Sequence, residues 1–356
     1  MKIVRKIVLA VLLISNVAVF ADEKSPIYIG FDGEFGYKDS TSAEAIKRGI
    51  LIAADEINKN GGVLGGHPLE LLEKANHSTP ARSIANIKEF AANPDVVALF
   101  CGRFSPTVLD SLPTIHEQKI PMLDPWSSAD AIIDNNYNPN YVFRLSLRDT
   151  WAMQTMIPFA GNKKLNKLGL LLLNTSWGRG NLNSAESFVS KNPKFTIQTT
   201  QWFNWNDESL VEKYSAILAS GAEVILFVGN PVDAAKLVQA ENSFPAEKRL
   251  PIVSHWGITG GNLFELTGES LTNLDFSVVQ TYTFLGKNDP KTLQVLAKVK
   301  ELFNIEDPRK LESPVGMAHA YDLTHILAKA INLAGSTDRT KIRDALEQVK
   351  NYDGFS

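Results

Sequence analysis

Val97-Ala98-Leu99-Phe100-Cys101-Gly102-Arg103-Phe104-Ser105-Pro106-Thr107 and, one helical segment later, Ile120-Pro121-Met122-Leu123-Asp124-Pro125-Trp126-Ser127-Ser128 decide how this chain folds. Each half is a short apolar run closed off by Gly, Pro or Ser, the pattern of a parallel strand buried on both faces. A helix between them serves as the crossover, so both runs end on the same edge of the sheet. In open α/β sheets that edge is where ligands bind. Both terminal loops carry hydroxyls and the first adds Arg103. Together they are suited to hold one end of a small anionic or carboxylate-bearing solute.

The same strand–helix alternation extends in both directions. Upstream, Ile27–Phe31 reads as the first strand, followed by a loop and a helix from Thr41, with Glu44 placed as in a capping box. Ile46, Ile50, Ala53 and Ile57 give that helix its buried face, and Asn60-Gly61-Gly62 ends it. Leu69–Leu72 is a second strand, and Thr79-Pro80 opens another helix. Downstream, Tyr141–Leu145 is one more strand, and the pattern restarts near Arg148. Lys167–Leu173, Phe195–Phe203, Val224–Val228 and Ile252–Ser254 are its strands, with a helix over Leu210–Leu218. Phe276–Tyr282 reads as the connection back, and helices over about 290–303, 314–333 and 340–350 finish the chain.

The predicted fold class is α/β: two Rossmann-like lobes with parallel sheets joined by a hinge. Residues 26–147 plus about 283–335 form the first lobe, and 148–282 plus about 336–356 the second. Their strand-end loops face each other across a cleft. A length of 356 residues suits two domains, and the apolar and charged shares are those of a globular protein. Nothing is basic enough to suggest nucleic acid. Lys2, Arg5 and Lys6 precede an apolar run from Ile7 to Phe20, the layout of a secretory signal peptide (residues 1–21) cleaved after Ala21. Loss of those three positive charges takes the formal net charge from −3 to −6. The single cysteine, Cys101, allows no intramolecular disulfide and reads as a buried small hydrophobe.

The candidate binding residues lie in the strand-end loops. Ser105, before Pro106, reads as the N-cap of the following helix, a position compatible with presenting free amides to an anion. Thr107 lies in the first helical turn. Ser127 and Ser128 end the second loop and either contact ligand or cap the next short helix. Arg103 can fork onto a carboxylate or sit at the rim. Trp126, Trp177 and Trp256 offer aromatic walls, or pack between loops. Asn230, after Val224–Val228, and Tyr282, in the return connection, complete the set; Phe35 and Tyr37 in the first loop either close over the ligand or are simply the aromatics that glycine-rich loops carry for other reasons.

Enzyme chemistry lacks its usual parts. The six histidines show no metal-ligand spacing, and neither a G-x-S-x-G elbow nor a G-x-x-x-x-G-K loop occurs. Gly61-Gly62-Val63-Leu64-Gly65-Gly66 follows a helix rather than a strand, so it is no dinucleotide fingerprint. No cofactor and no metal is expected.

Taken together, Ala45-Ile46-Lys47-Arg48-Gly49, Ile57–Gly62 with Gly65-Gly66, the loops carrying Ser105, Thr107 and 120–128, and Trp177-Gly178-Arg179-Gly180 resemble the type I periplasmic solute-binding proteins of the branched-chain amino acid (leucine/isoleucine/valine) transporter family. The resemblance implies a monomeric, non-enzymatic periplasmic receptor whose lobes close on a small-molecule solute and present it to an ABC permease in the inner membrane. In amino-acid-binding members, hydroxyls and amides of the first-lobe loops hold the carboxylate, here at Ser105 or Thr107 and at Ser127 and Ser128. An acidic residue of the second lobe usually holds the ammonium, and Trp256 stands at that position here, which tells against a simple α-amino acid. The alternative within the same fold is a sensor reporting to a signalling receptor. Relatives continue past Asp353-Gly354-Phe355-Ser356, so a C-terminally short second lobe without one edge element is also expected.

Overall fold

The computed structural model describes residues 24–38 and 40–355, so the expected signal peptide and its cleavage site lie outside the described residues. In chain order the first half comprises β1 (Ile27–Gly33), α1 (Ser42–Lys59), β2 (Leu69–Ala75), α2 (Pro80–Ala92), β3 (Val96–Cys101), α3 (Ser105–Glu117), β4 (Met122–Asp124) and β5 (Val142–Arg144). The second comprises α4 (Asp149–Asn162), β6 (Lys167–Leu173), α5 (Ser176–Lys191), β7 (Thr196–Phe203), α6 (Val211–Ala219), β8 (Val224–Val228), α7 (Pro231–Asn242), β9 (Ile252–Ser254), α8 (Leu263–Thr267) and β10 (Phe276–Val278). Helices α9 (Pro290–Phe303), α10 (Pro314–Ala334) and α11 (Arg339–Leu346) follow.

Two five-stranded parallel sheets result, ordered β2-β1-β3-β4-β5 and β7-β6-β8-β9-β10. Strand by strand, the second repeats the order of the first. In each, the order reverses between the first strand and the third, β1/β3 and β6/β8, which opens a crevice at the carboxyl edge. The central strands β3 and β8 are buried along their whole length, as their unbroken apolar runs require. Cys101 is buried at the end of β3, and burial pushes its thiol well up from its ordinary value.

Three expectations are corrected. Phe276–Val278 is not a connection but an edge strand paired with β9, and the chain returns to the first lobe only after it. Residues 339–346, assigned from sequence to the second lobe, lie on the first. The Arg339 guanidinium donates to the carbonyls of Ala91, Asn93 and Val96, and Arg343 donates to that of Asn140. Thr41 does not close a capping box with Glu44; its hydroxyl is within 2.7 Å of Ser313 Oγ instead. The second lobe is thus one continuous segment, about 149–278, set into a first lobe built from the two flanking segments. Among the described residues, no helix is long and apolar enough to cross a membrane.

Candidate functional site

The carboxyl edges of the two sheets face each other around a small cavity of about 20 Å³. Its lining comes from strand-end loops on both sides. The loops after β3 and β4 supply Arg103 to Pro106, Trp126 and Ser128; those after β6, β8 and β9 supply Thr175, Trp177, Asn230 and His255 to Gly257. Trp205, after β7, closes the rim, edge-on to Phe104 of the opposite lobe at 6.3 Å between ring centroids. Tyr37 also packs edge-on against Phe104, at 5.4 Å between ring centroids. A larger groove along Leu263, Phe264, Leu271 and Leu285 lies outside the facing sheet edges.

Hydrogen bonds fix the first-lobe loops. The Asp124 carboxylate accepts from the amides of Trp126 and Ser127 at 3.0 and 2.7 Å, folding the chain back after β4. Burial pushes Asp124 up to about 6, against the pull of Arg144 and those amides. Ser127 Oγ donates to the Gly102 carbonyl (2.9 Å), tying one loop to the other. Ser105 is not the N-cap of α3, a position that Phe104 holds. Its Oγ instead accepts from the amides of Ser128 and Ala129, both at 3.2 Å. The hydroxyl read as a cap does cap backbone amides, but those of the neighbouring loop.

On the second-lobe side, His255 and Trp177 converge on Asp149, the first residue of α4. Trp177 Nε1 donates to Asp149 Oδ1 (3.0 Å), and His255 Nε2 lies 3.1 Å from the same oxygen. Gly257 N–H points at His255 Nδ1 (3.4 Å), which assigns the ring proton to Nε2. The His255 ring stacks on Trp256 at 3.9 Å. Asn230 caps α7, where burial pushes Asp233 up to about 6 while its carboxylate accepts the Asn230 amide.

Of the sequence candidates, Arg103, Ser105, Trp126, Ser128, Trp177, Asn230 and Trp256 line this one cavity. Thr107 does not; it lines a separate small recess with Asp32, Glu34 and Asn76. Ser127 is fully buried between the loops. Tyr282 is the clear miss. It packs against Phe284 and Phe355 on the first lobe, its hydroxyl 2.6 Å from Thr292 Oγ1. Phe104, Thr175, Trp205 and His255 belong to the lining and were not singled out from sequence. The signal for His255 was present, since it is the first residue after β9.

Polar atoms in and beside this site that are buried without a partner among the described residues include Arg103 Nε, Trp256 Nε1, Asp149 Oδ2 and Asp124 Oδ2. Arg103 is only 6% exposed, its guanidinium lies 4.5 Å from the centre of the Phe104 ring, and burial pulls it below the usual arginine value. Among the described residues it is the only Lys, Arg, Asp or Glu in the lining. No group of His, Cys, Asp and Glu among the described residues is arranged to hold a metal ion.

Comparison with known proteins agrees with this architecture. A Leu/Ile/Val-binding protein homologue from Brucella abortus is 22% identical over 348 residues, covering 95% of this chain and 86% of its own. The branched-chain amino acid substrate-binding protein LivJ of Streptococcus pneumoniae, solved with isoleucine, superposes with a TM-score of 0.78 at 20% identity, over 93% of this chain and 90% of its own. A solute-binding protein from Rhodopseudomonas palustris, solved with p-hydroxybenzoic acid, gives 0.76 at 18% identity, over 90% and 84%. The model of the periplasmic binding protein family matches residues 26–356. Its members are solute-binding proteins of ABC importers rather than enzymes, and with two facing parallel-sheet lobes and a match along nearly all its length this chain belongs to the periplasmic binding protein family.

Proposed function

We propose that this protein is the extracytoplasmic receptor of an ABC importer and that it clamps a small carboxylate with an aromatic or apolar body between its lobes. The observation that carries the reading is the polarity of the cavity. Two buried donors without partners, Arg103 Nε and Trp256 Nε1, belong to residues that line the cavity together with Phe104, Trp126, Trp177 and Trp205. A cationic donor of this kind recognises a carboxylate, and the aromatic faces suit a flat or apolar body.

An α-amino acid also needs a partner for its ammonium. No Asp or Glu belongs to the lining, and Asp149 beside it has Oδ1 engaged by Trp177 and His255 and Oδ2 buried without a partner among the described residues. That favours a carboxylate without an amine, the class bound by the Rhodopseudomonas protein, over the class bound by LivJ. In this reading the lobes hinge at the two crossover segments, after Arg144 and after Val278. The closed form is what a permease reads, and no bond in the solute is made or broken. Export through the N-terminal signal and a monomeric state belong to the same proposal.

Thermal melts of the mature protein with benzoate, 4-hydroxybenzoate, L-leucine, L-isoleucine and glucose test it, because a ligand bound to the folded state raises the melting point. The aromatic acids are expected to raise it at concentrations where the amino acids and glucose do not. A rise with glucose alone, or with the amino acids alone, overturns the ligand assignment.

A further inference from the structure

We propose that the turn ending at Gly260 is a latch that holds the lobes shut, and that Arg103 is the residue which ties this latch to the ligand. The proposal rests on the hinge-closing reading above. The short turn Trp256–Thr259 follows β9 and carries Trp256 and Gly257 into the cavity. Its last carbonyls do not point to its own lobe. The Gly260 carbonyl accepts from Arg103 Nη1 at 2.7 Å and from the Thr41 amide at 3.1 Å. The Thr259 carbonyl accepts from Ser313 Oγ at 3.1 Å. Arg103, Thr41 and Ser313 come from three separate first-lobe segments: the β3 loop, the start of α1 and the start of α10.

Two further features show that this contact is built for closure. Thr41 stands at the N-terminal end of α1, where backbone amides have no partner within the helix. Gly260 supplies one from across the cleft, so separating the lobes returns that amide to water. Ser313 has a left-handed backbone (φ +52°), a conformation that is uncommon for a residue other than glycine. In that conformation its hydroxyl meets both Thr41 and the second lobe.

Gly260 itself is the sensitive point. Its φ of −87° is open to any residue, so backbone conformation does not require glycine. Space does, because a Cβ there would lie 2.1 Å from Arg103 Nη1 and 3.1 Å from its Cδ and Cζ. An alanine would therefore push the guanidinium off the carbonyl it holds. Arg103 thus has one nitrogen on the opposite lobe and another, Nε, buried without a partner, and the residue lines the ligand cavity. An anion in the cavity satisfies the second while closure satisfies the first. Each event removes a desolvation cost that otherwise opposes the other, which is how a bound carboxylate stabilises the shut form.

The test is a double-mutant cycle between Gly260→Ala and Arg103→Ala in the full mature protein. Inter-lobe distances are read between spin labels at Lys88→Cys and Glu212→Cys, both exposed, with Cys101 buried and unlabelled. Calorimetry with 4-hydroxybenzoate and with L-isoleucine reads affinity, and circular dichroism confirms folding. Gly260→Ala is expected to shift the distances towards the open form and to weaken the bound probe about tenfold or more, the scale of one lost hydrogen bond to a charged group. In the Arg103→Ala background the same substitution is expected to change neither quantity further. Unchanged distances in every condition, or an equal loss with and without Arg103, overturn the latch. If neither probe binds but Gly260→Ala still opens the ligand-free protein, the latch stands and the ligand assignment falls.

Discussion

Gly178→Ala tests whether the start of α5 positions the aromatic wall. A Cβ at Gly178 would lie 1.9 Å from the Leu173 carbonyl oxygen at the end of β6 and 3.2 Å from the Trp202 ring. Real side chains do not approach a heavy atom within 3.0 Å, so the first turn must retreat by about 1 Å. That turn carries Trp177, whose Nε1 donates to Asp149 at 3.0 Å. Overpacking of this kind costs about 1–3 kcal/mol, and loosening a bond to a carboxylate adds about 1–2 kcal/mol. Urea unfolding of the protein should therefore show a loss of about 2–5 kcal/mol, as a lower midpoint at unchanged slope. Gly180→Ala, two residues on in the same helix, is the control. Its Cβ would meet its nearest atom, Asp149 Oδ2, at an ordinary 3.6 Å. Alanine there should be neutral or stabilise by up to about 1 kcal/mol through helix propensity. Equal midpoints for the two variants would refute the reasoning, because space at Gly178 would then not be limiting.

Three further outcomes are expected. Burial pushes Glu241 up from 4.5 to about 7, with Tyr214 hydrogen-bonded to one carboxylate oxygen and the other unpartnered among the described residues. A folded-state value above the unfolded one makes the protonated form the stabilising one, fully so below about 4.5 and lost as pH rises through about 7. Glu241→Gln should remove that slope and stabilise the protein at pH 8 by about 1–2 kcal/mol after solvent screening, as thermal melts from pH 4 to 8 would show; an unaltered slope would rule this out. Ser105→Ala leaves the amides of Ser128 and Ala129 without their acceptor. It should cost about 1–3 kcal/mol in denaturant melts and weaken 4-hydroxybenzoate in calorimetry. Tyr282→Phe should leave that affinity unchanged while lowering stability by about 1 kcal/mol through the lost Thr292 contact; a changed affinity would return Tyr282 to the site.

The strands were legible because burial on both faces leaves a strong mark. Val96–Cys101 and Val224–Val228 are unbroken apolar runs, and so were read almost to the residue. Strand ends also located most of the cavity, since parallel topology sends every such loop to one edge. The rest depended on contacts between distant residues. Trp205 lies in a loop after a half-exposed edge strand, and only its approach to Phe104 of the other lobe brings it to the rim. Ser105 precedes a proline and is followed by a helix, which is the signature of a cap. The amides that it serves are more than twenty residues away. The placement of α11 turned on Arg339, whose three carbonyl partners, at Ala91, Asn93 and Val96, leave no trace in local pattern.

The insertion of one lobe into the other has a consequence for biogenesis. Residues 149–278 are contiguous, so that half holds all its strands as soon as they have left the ribosome. The half that begins the chain must wait. Its helices α10 and α11 are more than a hundred and fifty residues downstream, and until they arrive the face of α1 that packs on α10 stays bare. Synthesis usually lets the N-terminal unit fold first. Here the order is inverted, and a half-built opening unit with an uncovered apolar flank is the species that a chaperone or protease would meet.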